Sequence, residues 1–598
     1  MAPESASGSA AATVSPPEWD LRDLYAGPDD PAIERDLTLA GERARAFAAA
    51  YENRLARLDG PGLGKAIAEY EVFSELLDRI TSYGQLVFAA NTEDAKIGAF
   101  HQTLNERATE ISSLTLFFEL ELNQIDDAEL AEKIADPSVA RYTPWLDANR
   151  AFKPYQLSGD LEKILHEKSV AGRVAWSRLF DETMAQLRFD LDGKKLSNSE
   201  VLSLLSDRDE AVRKKAAKSF GKGLEENIRL FALITNTLAK DKEIEDKWRK
   251  LPRPVSRRNI GNQVEDEVVD ALAAAVRDAY PETAHRYYKL KARWFGTDKL
   301  DYWDRNAPLP ESDESRISWD EAKATVLGSY KRFEPGMADI AGAFFDKRWI
   351  DANPRPGKDS GAFSHPTVPS VHPYILMNFH GKSRDVMTLA HELGHGIHQT
   401  LAAPHGHFLS STPLTLAETA SVFGEMLTFR AVLDSTTDAK KRRVMLASKV
   451  EDMLNTVVRQ IAFYSFEERV HNERRTGEIS ADRLGEIWMG VQTESLGPAF
   501  RFDDEYKHYW AYIPHFVHSP FYVYAYAFGD CLVNSLYDVF LDGHPGFQKK
   551  YLEMLKAGGT LKHRDLLRPF GLDASDPAFW KRGLSVVARF IDELEKSL

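Results

Sequence analysis

The sequence predicts a mostly α-helical protein with one small β-sheet close to its functional residues. Apolar residues recur at three- and four-residue intervals across residues 64–90 and 99–122, which is the spacing of an amphipathic helix. The same spacing dominates again from residue 385 to the C-terminus. A strand-like apolar run occupies residues 371–379, between these helical regions. Together these patterns indicate an α-rich fold with little sheet.

The N-terminal region divides into a tail and a run of helices. Residues 1–18 are rich in Ala, Ser and Pro, so we expect a flexible tail that ends where Trp19 begins the ordered chain. Helical periodicity then continues as far as a short hairpin. Leu187 to Leu191 alternate between apolar and polar, and Asp192-Gly193 supplies the turn.

A domain boundary is expected just after this hairpin. Ser197 and Glu200 have the three-residue spacing of a capping box, which starts a new series of helices. We therefore expect an N-terminal helical domain at residues 19–195 and a second domain at residues 196–598 that carries the chemistry. The two parts could also pack as one body.

Charge and composition exclude several classes of partner. The chain has 598 residues and a formal net charge of −15, and an acidic surface repels both phosphate backbones and anionic lipids. We therefore expect no nucleic-acid partner and no membrane partner. Cys531 is the single cysteine, so it cannot form an internal disulfide. It lies in an apolar stretch, which indicates a buried thiol. A reducing, cytoplasmic location is the simplest expectation.

The strongest motif in the chain is a pair of histidines that flank a glutamate. His391 and His395 stand four residues apart, so a helix would place both imidazoles on one face, where they can bind one zinc ion. Glu392 follows the first histidine and can take a proton from a water that the zinc activates. Gly394 and Gly396 each cost roughly 1 kcal/mol relative to Ala in a helix, which suggests close approach of another backbone.

A catalytic zinc needs a third protein ligand from elsewhere in the chain. Position 401 would suit one known arrangement, but Leu401 cannot bind a metal. His398 is on roughly the same face but too far along the helix axis, so we expect it to support the ligands or to pack. His405 and His407 fall in a loop-like segment and remain competitors.

Glu418 is the better third ligand. It lies in an apolar, helix-like stretch with Glu425 seven residues later, about two turns away and on the same face. A carboxylate in such surroundings needs a partner. We assign Glu418 to a single zinc ion and expect Glu425 to orient a histidine ligand from behind. The alternative is an ordinary helix with solvated glutamates.

The chain resembles the oligoendopeptidase F family, a branch of the thimet oligopeptidase-like zinc metallopeptidases. The resemblance rests on five segments that span almost the whole ordered chain: HELGHGIH at residues 391–398, ETASVFGE at 418–425, WDLRDLY at 19–25, IPHF at 513–516 and FYVYAY at 521–526. Together they are far more specific than the short histidine motif.

The resemblance implies a two-part helical fold that encloses a deep substrate channel. It also implies internal cleavage of short, unstructured oligopeptides, with Glu392 as general base. Two alternatives remain open from the residues themselves. One is a metalloenzyme of another class, such as an amidase, and the other is a scaffolding protein with a structural metal site. An intact Glu392 argues against the second alternative, because a structural zinc site needs no base.

The resemblance also implies roles for aromatic residues near the C-terminus. A histidine and tyrosines there would bind substrate and stabilise the tetrahedral intermediate. His515, Tyr522 and Tyr526 could share one helical face, although Pro520 interrupts that helix. Tyr524 is an alternative substrate contact. The competing interpretation is that these rings form part of the hydrophobic core.

The strand before the histidine motif is a candidate binding site for the peptide backbone. In zinc peptidases of this general kind an edge strand pairs with extended substrate, so Tyr374 and Met377 would lie beside it. A buried structural strand is the alternative, because a short apolar run fits either position.

Overall fold

Helices make up most of the molecule, as predicted. The computed structural model describes residues 15–310 and 316–597. The helices of the N-terminal part are α1 (Pro31–Tyr51), α2 (Gly60–Ala90), α3 (Ala95–Ser113), α4 (Phe117–Gln124), α5 (Asp127–Ile134), α6 (Pro137–Ala140), α7 (Thr143–Arg150), α8 (Gly159–Ser169) and α9 (Arg173–Gln186).

A second series of helices follows the hairpin and leads into the region of the histidine motif. It comprises α10 (Asn198–Ser203), α11 (Glu210–Arg249), α12 (Ser256–Gly261), α13 (Asp266–Asp278), α14 (Arg286–Trp294), α15 (Trp319–Phe333) and α16 (Pro335–Asp346). The remaining helices are α17 (Ser383–Ala402), α18 (Leu414–Ala417), α19 (Ser421–Ser435), α20 (Ala439–Thr456), α21 (Val458–Arg474), α22 (Ala481–Leu496), α23 (His515–His518), α24 (Tyr524–Leu541), α25 (Phe547–Lys556), α26 (His563–Leu567) and α27 (Pro577–Lys596).

The hairpin and the capping box between the two series are confirmed. Strand β1 (Phe189–Leu191) pairs antiparallel with β2 (Lys194–Leu196). Ser197 then accepts the N–H of Glu200, and the Glu200 carboxylate accepts the N–H of Ser197 at 2.7 Å. The backbone N–H groups of Ser197 and Glu200, at the start of α10, thereby both have an acceptor.

The part of the chain that the structure describes contains three small sheets, where we expected one. The first is the hairpin. In the second, β3 (Leu300–Asp301) pairs parallel with β7 (Phe500–Arg501). The third sheet has the order β4 (Ile350–Asp351), β6 (Tyr374–Leu376), β5 (Phe363–His365). This third sheet packs on α17, the helix that carries the histidine motif.

The expectation of an edge strand at Tyr374 is wrong. Strand β6 is the centre of its sheet, since Ile375 pairs with Ile350 on one side and with Ser364 on the other. The run reads as continuously apolar because all three residues of β6 are fully buried. Backbone groups of β6 are therefore committed to neighbouring strands.

The expected tail of residues 1–18 is described only from residue 15 onward. Residues 1–14 lie outside the described part of the chain. The carbonyl of Pro17 accepts the N–H groups of Ala352 and Asn353 at 2.8 and 3.1 Å, and the carbonyl of Glu18 accepts a side-chain bond from Arg348. Pro17 and Glu18 therefore belong to the folded chain and extend the contacts next to β4.

The two predicted parts share their largest hydrophobic core. This core runs from Trp19 to Leu594 and includes buried residues of α2 and α11 together with those of α17, α21 and α24. Two smaller cores lie within the N-terminal helices α1–α7. None of the described helices combines the length and apolarity that a membrane crossing requires.

Candidate active site

Helix α17 carries both histidines of the motif. The carboxylate of Asp385, in the first turn, accepts the N–H groups of His380 at 2.7 Å and Lys382 at 3.0 Å, which fixes where the helix begins. His391 and His395 lie one turn apart, with ring centres separated by 5.0 Å. The helical placement predicted from their spacing is confirmed.

The two glycines of the motif let α17 pack closely on its neighbours. A methyl group added at Gly394 would lie 2.5 Å from the carbonyl oxygen of Ala420. One added at Gly396 would lie 2.6 Å from the ring of Phe344. Both separations are far below van der Waals contact, so a larger residue would force α17 outwards. Approach of another backbone is confirmed at Gly394, whereas a ring occupies the space at Gly396.

Three candidate metal ligands converge at one point. Nε2 of His391 lies 3.3 Å from Oε2 of Glu418, and Nε2 of His395 lies 3.5 Å from the same oxygen. All three ligand atoms fall within 4.8 Å of one another. Tetrahedral zinc, with bonds of about 2.0–2.2 Å, holds its ligands about 3.4 Å apart. Two imidazoles and one carboxylate at these separations therefore fit a zinc ion with an open position.

Glu418 occupies a turn and not the regular helix that its sequence suggested. Helix α18 ends at Ala417 and α19 begins at Ser421, so Glu418 and Glu425 do not share one uninterrupted helix. The Ser421 hydroxyl donates to Oε2 of Glu418 at 2.6 Å and fixes the carboxylate. Burial would raise the pKa of Glu418, but the two histidines hold it at about 2. The carboxylate is thus ionised and available to a cation.

Glu425 lies behind the first histidine. Its Oε2 is 3.3 Å from Nδ1 of His391, and its Oε1 accepts a hydrogen bond from Nζ of Lys449 at 2.6 Å. Burial would raise the pKa of Glu425, yet Lys449 and His391 hold it at about 2. An ionised carboxylate at Nδ1 keeps the proton on that nitrogen and leaves Nε2 facing Glu418.

Glu392 is buried beside the three ligands but is not one of them. Its side chain is 6% exposed and lines a cavity of about 450 Å³ together with His391 and Glu418. Burial raises the pKa of Glu392 to about 7, against the opposing effect of His391. A carboxyl group with this pKa exchanges a proton readily at neutral pH.

The other histidines of this region lie apart from the ligand cluster. His398 is buried, and burial followed by the charge of His395 lowers its pKa to about 4. It lines a second cavity of about 360 Å³ next to His395, so a supporting role for it remains a prediction. His405 donates to the carbonyl of Lys556 at 2.7 Å. His407 lies 3.1 Å from the carboxylate of Asp78.

The structure brings His515, Tyr522 and Tyr526 together, although they do not share a helix. Helix α23 ends at His518, a turn follows, and α24 begins at Tyr524. Nε2 of His515 lies 3.4 Å from the hydroxyl of Tyr526, and the ring centres of the two tyrosines are 5.3 Å apart. Tyr526 also lines the cavity that contains Glu392. Tyr526 therefore lies at the cavity of the candidate metal site.

Three residues expected to contact substrate are core residues instead. Tyr524 is fully buried, and its hydroxyl accepts a hydrogen bond from Nδ2 of Asn262 at 2.8 Å. Tyr374 is also fully buried and donates to the carbonyl of Asp20 at 2.9 Å. Met377 has no exposed surface. These predictions were wrong because the positions of these residues in the sequence do not show whether a side chain faces a cavity or the core.

Both backbone groups of Met377 are also occupied. Its N–H donates to the carbonyl of Asp351 at 2.9 Å, and its carbonyl accepts a bond from Nζ of Lys358 at 2.6 Å. A peptide therefore cannot pair with this residue.

Three polar residues of the site were not identified from the sequence. Lys449 on α20 pairs with Glu425, as described above. Asp530 on α24 lines the cavity, is 5% exposed and accepts a hydrogen bond from Asn534 at 2.8 Å. Arg459 on α21 lines the same cavity and donates to the hydroxyl of Tyr512 at 3.0 Å. Asp530 is an ionisable residue in an apolar helical stretch, which is the pattern that pointed to Glu418, whereas Lys449 and Arg459 lie on helices rich in polar residues.

Comparison with known proteins decides the family. A family model described as Peptidase family M3 matches residues 203–586, which is more than half of the chain. The chain belongs to peptidase family M3. A second model, described as Oligopeptidase F, matches residues 121–189, so the resemblance to oligoendopeptidase F is also confirmed. As a member of this family the protein is a metallo-endopeptidase, a hydrolase of peptide bonds.

Relatives of this M3 peptidase match it over nearly its full length. It is 25% identical to Oligopeptidase PepF of Bacillus subtilis over 97% of this chain and 87% of the relative. It is 26% identical to an Oligoendopeptidase F homolog of Borreliella burgdorferi over 88% of this chain and 90% of the relative. The crystal structure of oligoendopeptidase-F from Enterococcus faecium superposes with a TM-score of 0.72 at 22% identity, over 95% and 98% of the two chains. The predicted fold class is therefore confirmed.

Proposed function

We propose that this M3 peptidase is a zinc-dependent endopeptidase that cleaves internal bonds of short, unstructured oligopeptides. The observation that carries the proposal is the convergence of His391, His395 and Glu418 on one point. The buried Glu392 lines the same cavity as His391 and Glu418. An open cavity next to three ligands and a base is typical of a catalytic zinc site and not of a structural one.

Zinc held by His391, His395 and Glu418 would supply a Lewis acid that makes water more acidic and polarises the scissile carbonyl. The protein supplies the rest of the chemistry. Glu392 is positioned to accept the proton of the attacking water and to return it to the leaving amine. Its burial keeps competing water away and strengthens this interaction.

Charge develops on the carbonyl oxygen of the substrate during attack, and the aromatic cluster is placed to stabilise it. Tyr526 lines the cavity, and Nε2 of His515 lies 3.4 Å from its hydroxyl. A hydrogen bond from Tyr526 or His515 to the oxyanion would exist mainly in the transition state. Removal of one such donor typically costs about 2.7–4 kcal/mol of barrier.

The substrate class follows from the shape of the site. His391 faces one cavity of about 450 Å³, and His395 faces a second cavity of about 360 Å³. An extended peptide could cross the metal site and place residues in both cavities, so cleavage would be internal. These two cavities form the channel that we propose for the substrate.

The single cysteine, Cys531, is buried and unpaired, and this supports a reducing, cytoplasmic location.

The experiment that tests this function is digestion of a mixed peptide pool, followed by mass spectrometry. We expect internal cleavage that stops when a chelator removes the metal and returns when zinc is added. A parallel panel of non-peptide amides separates the peptidase from an amidase. Cleavage that survives complete metal removal, or cleavage restricted to the non-peptide amides, would contradict the proposal.

A further inference from the structure

The turn that joins His515 to the two tyrosines contains a strained residue. Phe521 adopts a φ of +59°, in the left-handed region that bulky residues rarely occupy, and its side chain is 1% exposed. A conformation of this kind costs of order 1–3 kcal/mol and persists only when its surroundings enforce it. Tyr522 follows Phe521 directly, so the conformation of Phe521 sets the direction of the chain that carries both tyrosines.

A buried carboxyl group holds this turn. Oε1 of Glu467, on α21, accepts the backbone N–H of Phe521 at 2.8 Å. Glu467 is 2% exposed, and its Oε2 is buried with no hydrogen-bond partner among the described residues. The isolation of the second oxygen is unfavourable, so stability alone gives no reason to keep an acid at this position.

The opposite side of the turn is also held. Nε of Arg258 donates to the carbonyl of Pro520 at 3.2 Å. The guanidinium of Arg258 also lies 5.7 Å from the centre of the Tyr522 ring. Glu467 thus binds the N–H and Arg258 binds the C=O of consecutive residues, and together they fix the turn from two directions.

We infer that Glu467 is a positioning residue. It acts through the turn at Phe521 to hold the side chains of His515, Tyr522 and Tyr526 in their positions relative to the cavity. This inference rests on the proposed role of these three side chains. The contact between His515 and Tyr526 is 3.4 Å long, at the outer limit of a hydrogen bond, so a small rotation of the turn breaks it. Displacement of a catalytic group by about 1 Å can cost 100-fold in rate.

Two substitutions at Glu467 separate positioning from packing. Glu467→Gln retains an oxygen that accepts the Phe521 N–H, whereas Glu467→Met keeps the length of the side chain but removes the acceptor. We expect Glu467→Met to lower kcat by about tenfold or more with KM changed less than about threefold, because the tyrosines act in the transition state. Glu467→Gln should remain within about twofold of the native kcat. Zinc content should be unchanged in both.

Glu71 provides a control in the N-terminal helices for loss of a buried carboxylate that holds a loop. It is 8% exposed and, like Glu467, accepts a backbone N–H from a loop, in this case that of Phe408 at 3.2 Å; its other oxygen accepts the hydroxyl of Tyr142 at 2.6 Å. Glu71→Met and Glu467→Met should both lower the melting temperature, since each removes a buried acceptor. Glu71→Met should leave kcat unchanged. If the Met variant at Glu467 does not fold, Glu467→Asp withdraws the same acceptor by one methylene and should also lower kcat.

A double substitution tests whether Glu467 acts through the tyrosines. In a Tyr526→Phe background, Glu467→Met should reduce kcat by less than it does in the native protein, because one of the groups that Glu467 positions is already gone. Equal reductions in both backgrounds would overturn the inference, as would an unchanged kcat in folded Glu467→Met and Glu467→Asp. If Tyr526→Phe, Tyr522→Phe and His515→Ala all leave kcat unchanged, the proposed oxyanion role itself fails, which is a separate result.

Discussion

The carboxylate of Glu425 lies 3.3 Å from Nδ1 of His391, on the opposite side of the ring from Glu418. The imidazole is thus held between two carboxylates, one at each nitrogen. An ionised carboxylate at Nδ1 favours the tautomer of His391 that carries its proton on that nitrogen. Its own charge is balanced by Lys449 at 2.6 Å.

Glu425→Gln should therefore weaken zinc binding without removing a ligand. A neutral amide accepts a weaker hydrogen bond from Nδ1–H and makes the opposite nitrogen a poorer donor to the metal. We expect the zinc affinity to fall by about 10- to 100-fold, which is the usual effect of such supporting groups. Competition with a chelator of known affinity measures the change. An affinity equal to that of the native protein would show that Glu425 does not orient His391.

Glu418→Ala should reduce zinc affinity much more strongly, because it removes a ligand. His405→Ala and His407→Ala should leave the affinity unchanged, since these rings bond to Lys556 and Asp78 away from the cluster. Metal analysis after dialysis against a weak chelator compares the three proteins. Retention of zinc by Glu418→Ala together with its loss from His405→Ala would mean that the third ligand is wrongly assigned.

Tyr526→Phe should lower kcat more than it raises KM, because its hydroxyl stabilises mainly the transition state. Tyr522→Phe and His515→Ala should shift kcat in the same direction. Tyr524→Phe is the matched control. Its hydroxyl faces Asn262 in the core, so its loss should destabilise the fold by about 1–3 kcal/mol and leave kcat unchanged. Steady-state kinetics on one peptide and thermal unfolding give both quantities. The opposite pattern, with kcat lost only in Tyr524→Phe, would exchange the roles of the two tyrosines.

The histidine motif could be predicted because its geometry is local. A four-residue spacing on one helix fixes the relation of His391 to His395 without any knowledge of the rest of the fold. The need for glycine at Gly394 could be inferred in the same way, since a helix tolerates glycine poorly without a reason. Glu418 was found by a different argument, namely that a carboxylate in an apolar stretch needs a partner.

The errors concern groups whose direction depends on distant parts of the chain. Tyr524 and Tyr526 are two residues apart on α24, so they lie on nearly opposite sides of the helix. Which of the two faces the core and which lines the cavity depends on how α24 packs in the fold. The positive φ of Phe521 has no signature in the sequence, because glycine is absent there. The edge position of β6 was expected by analogy with other zinc peptidases, and a three-residue strand carries no information of its own about which strands flank it.

The proposed channel sets a size limit on the substrate. A short peptide can extend across both cavities, whereas a folded protein must first unfold, which costs about 5–15 kcal/mol. We expect cleavage of unstructured peptides of about five to twenty residues, and resistance of folded proteins. A ladder of peptides that share one cleavage sequence, beside a folded protein and its permanently unfolded form, measures this. Equal rates at every length, the long unfolded chain included, would exclude an enclosed channel.

The most direct test of the account is the turnover of zinc-loaded Glu392→Gln. Glu392 lies beside the ligands without being one, so this variant should bind zinc with native stoichiometry. Glutamine cannot accept the proton of the attacking water, and loss of a general base typically costs about 100- to 10,000-fold in rate. We therefore expect kcat to fall by at least about 100-fold at full zinc occupancy. Near-native turnover of a zinc-loaded Glu392→Gln would contradict the proposed mechanism.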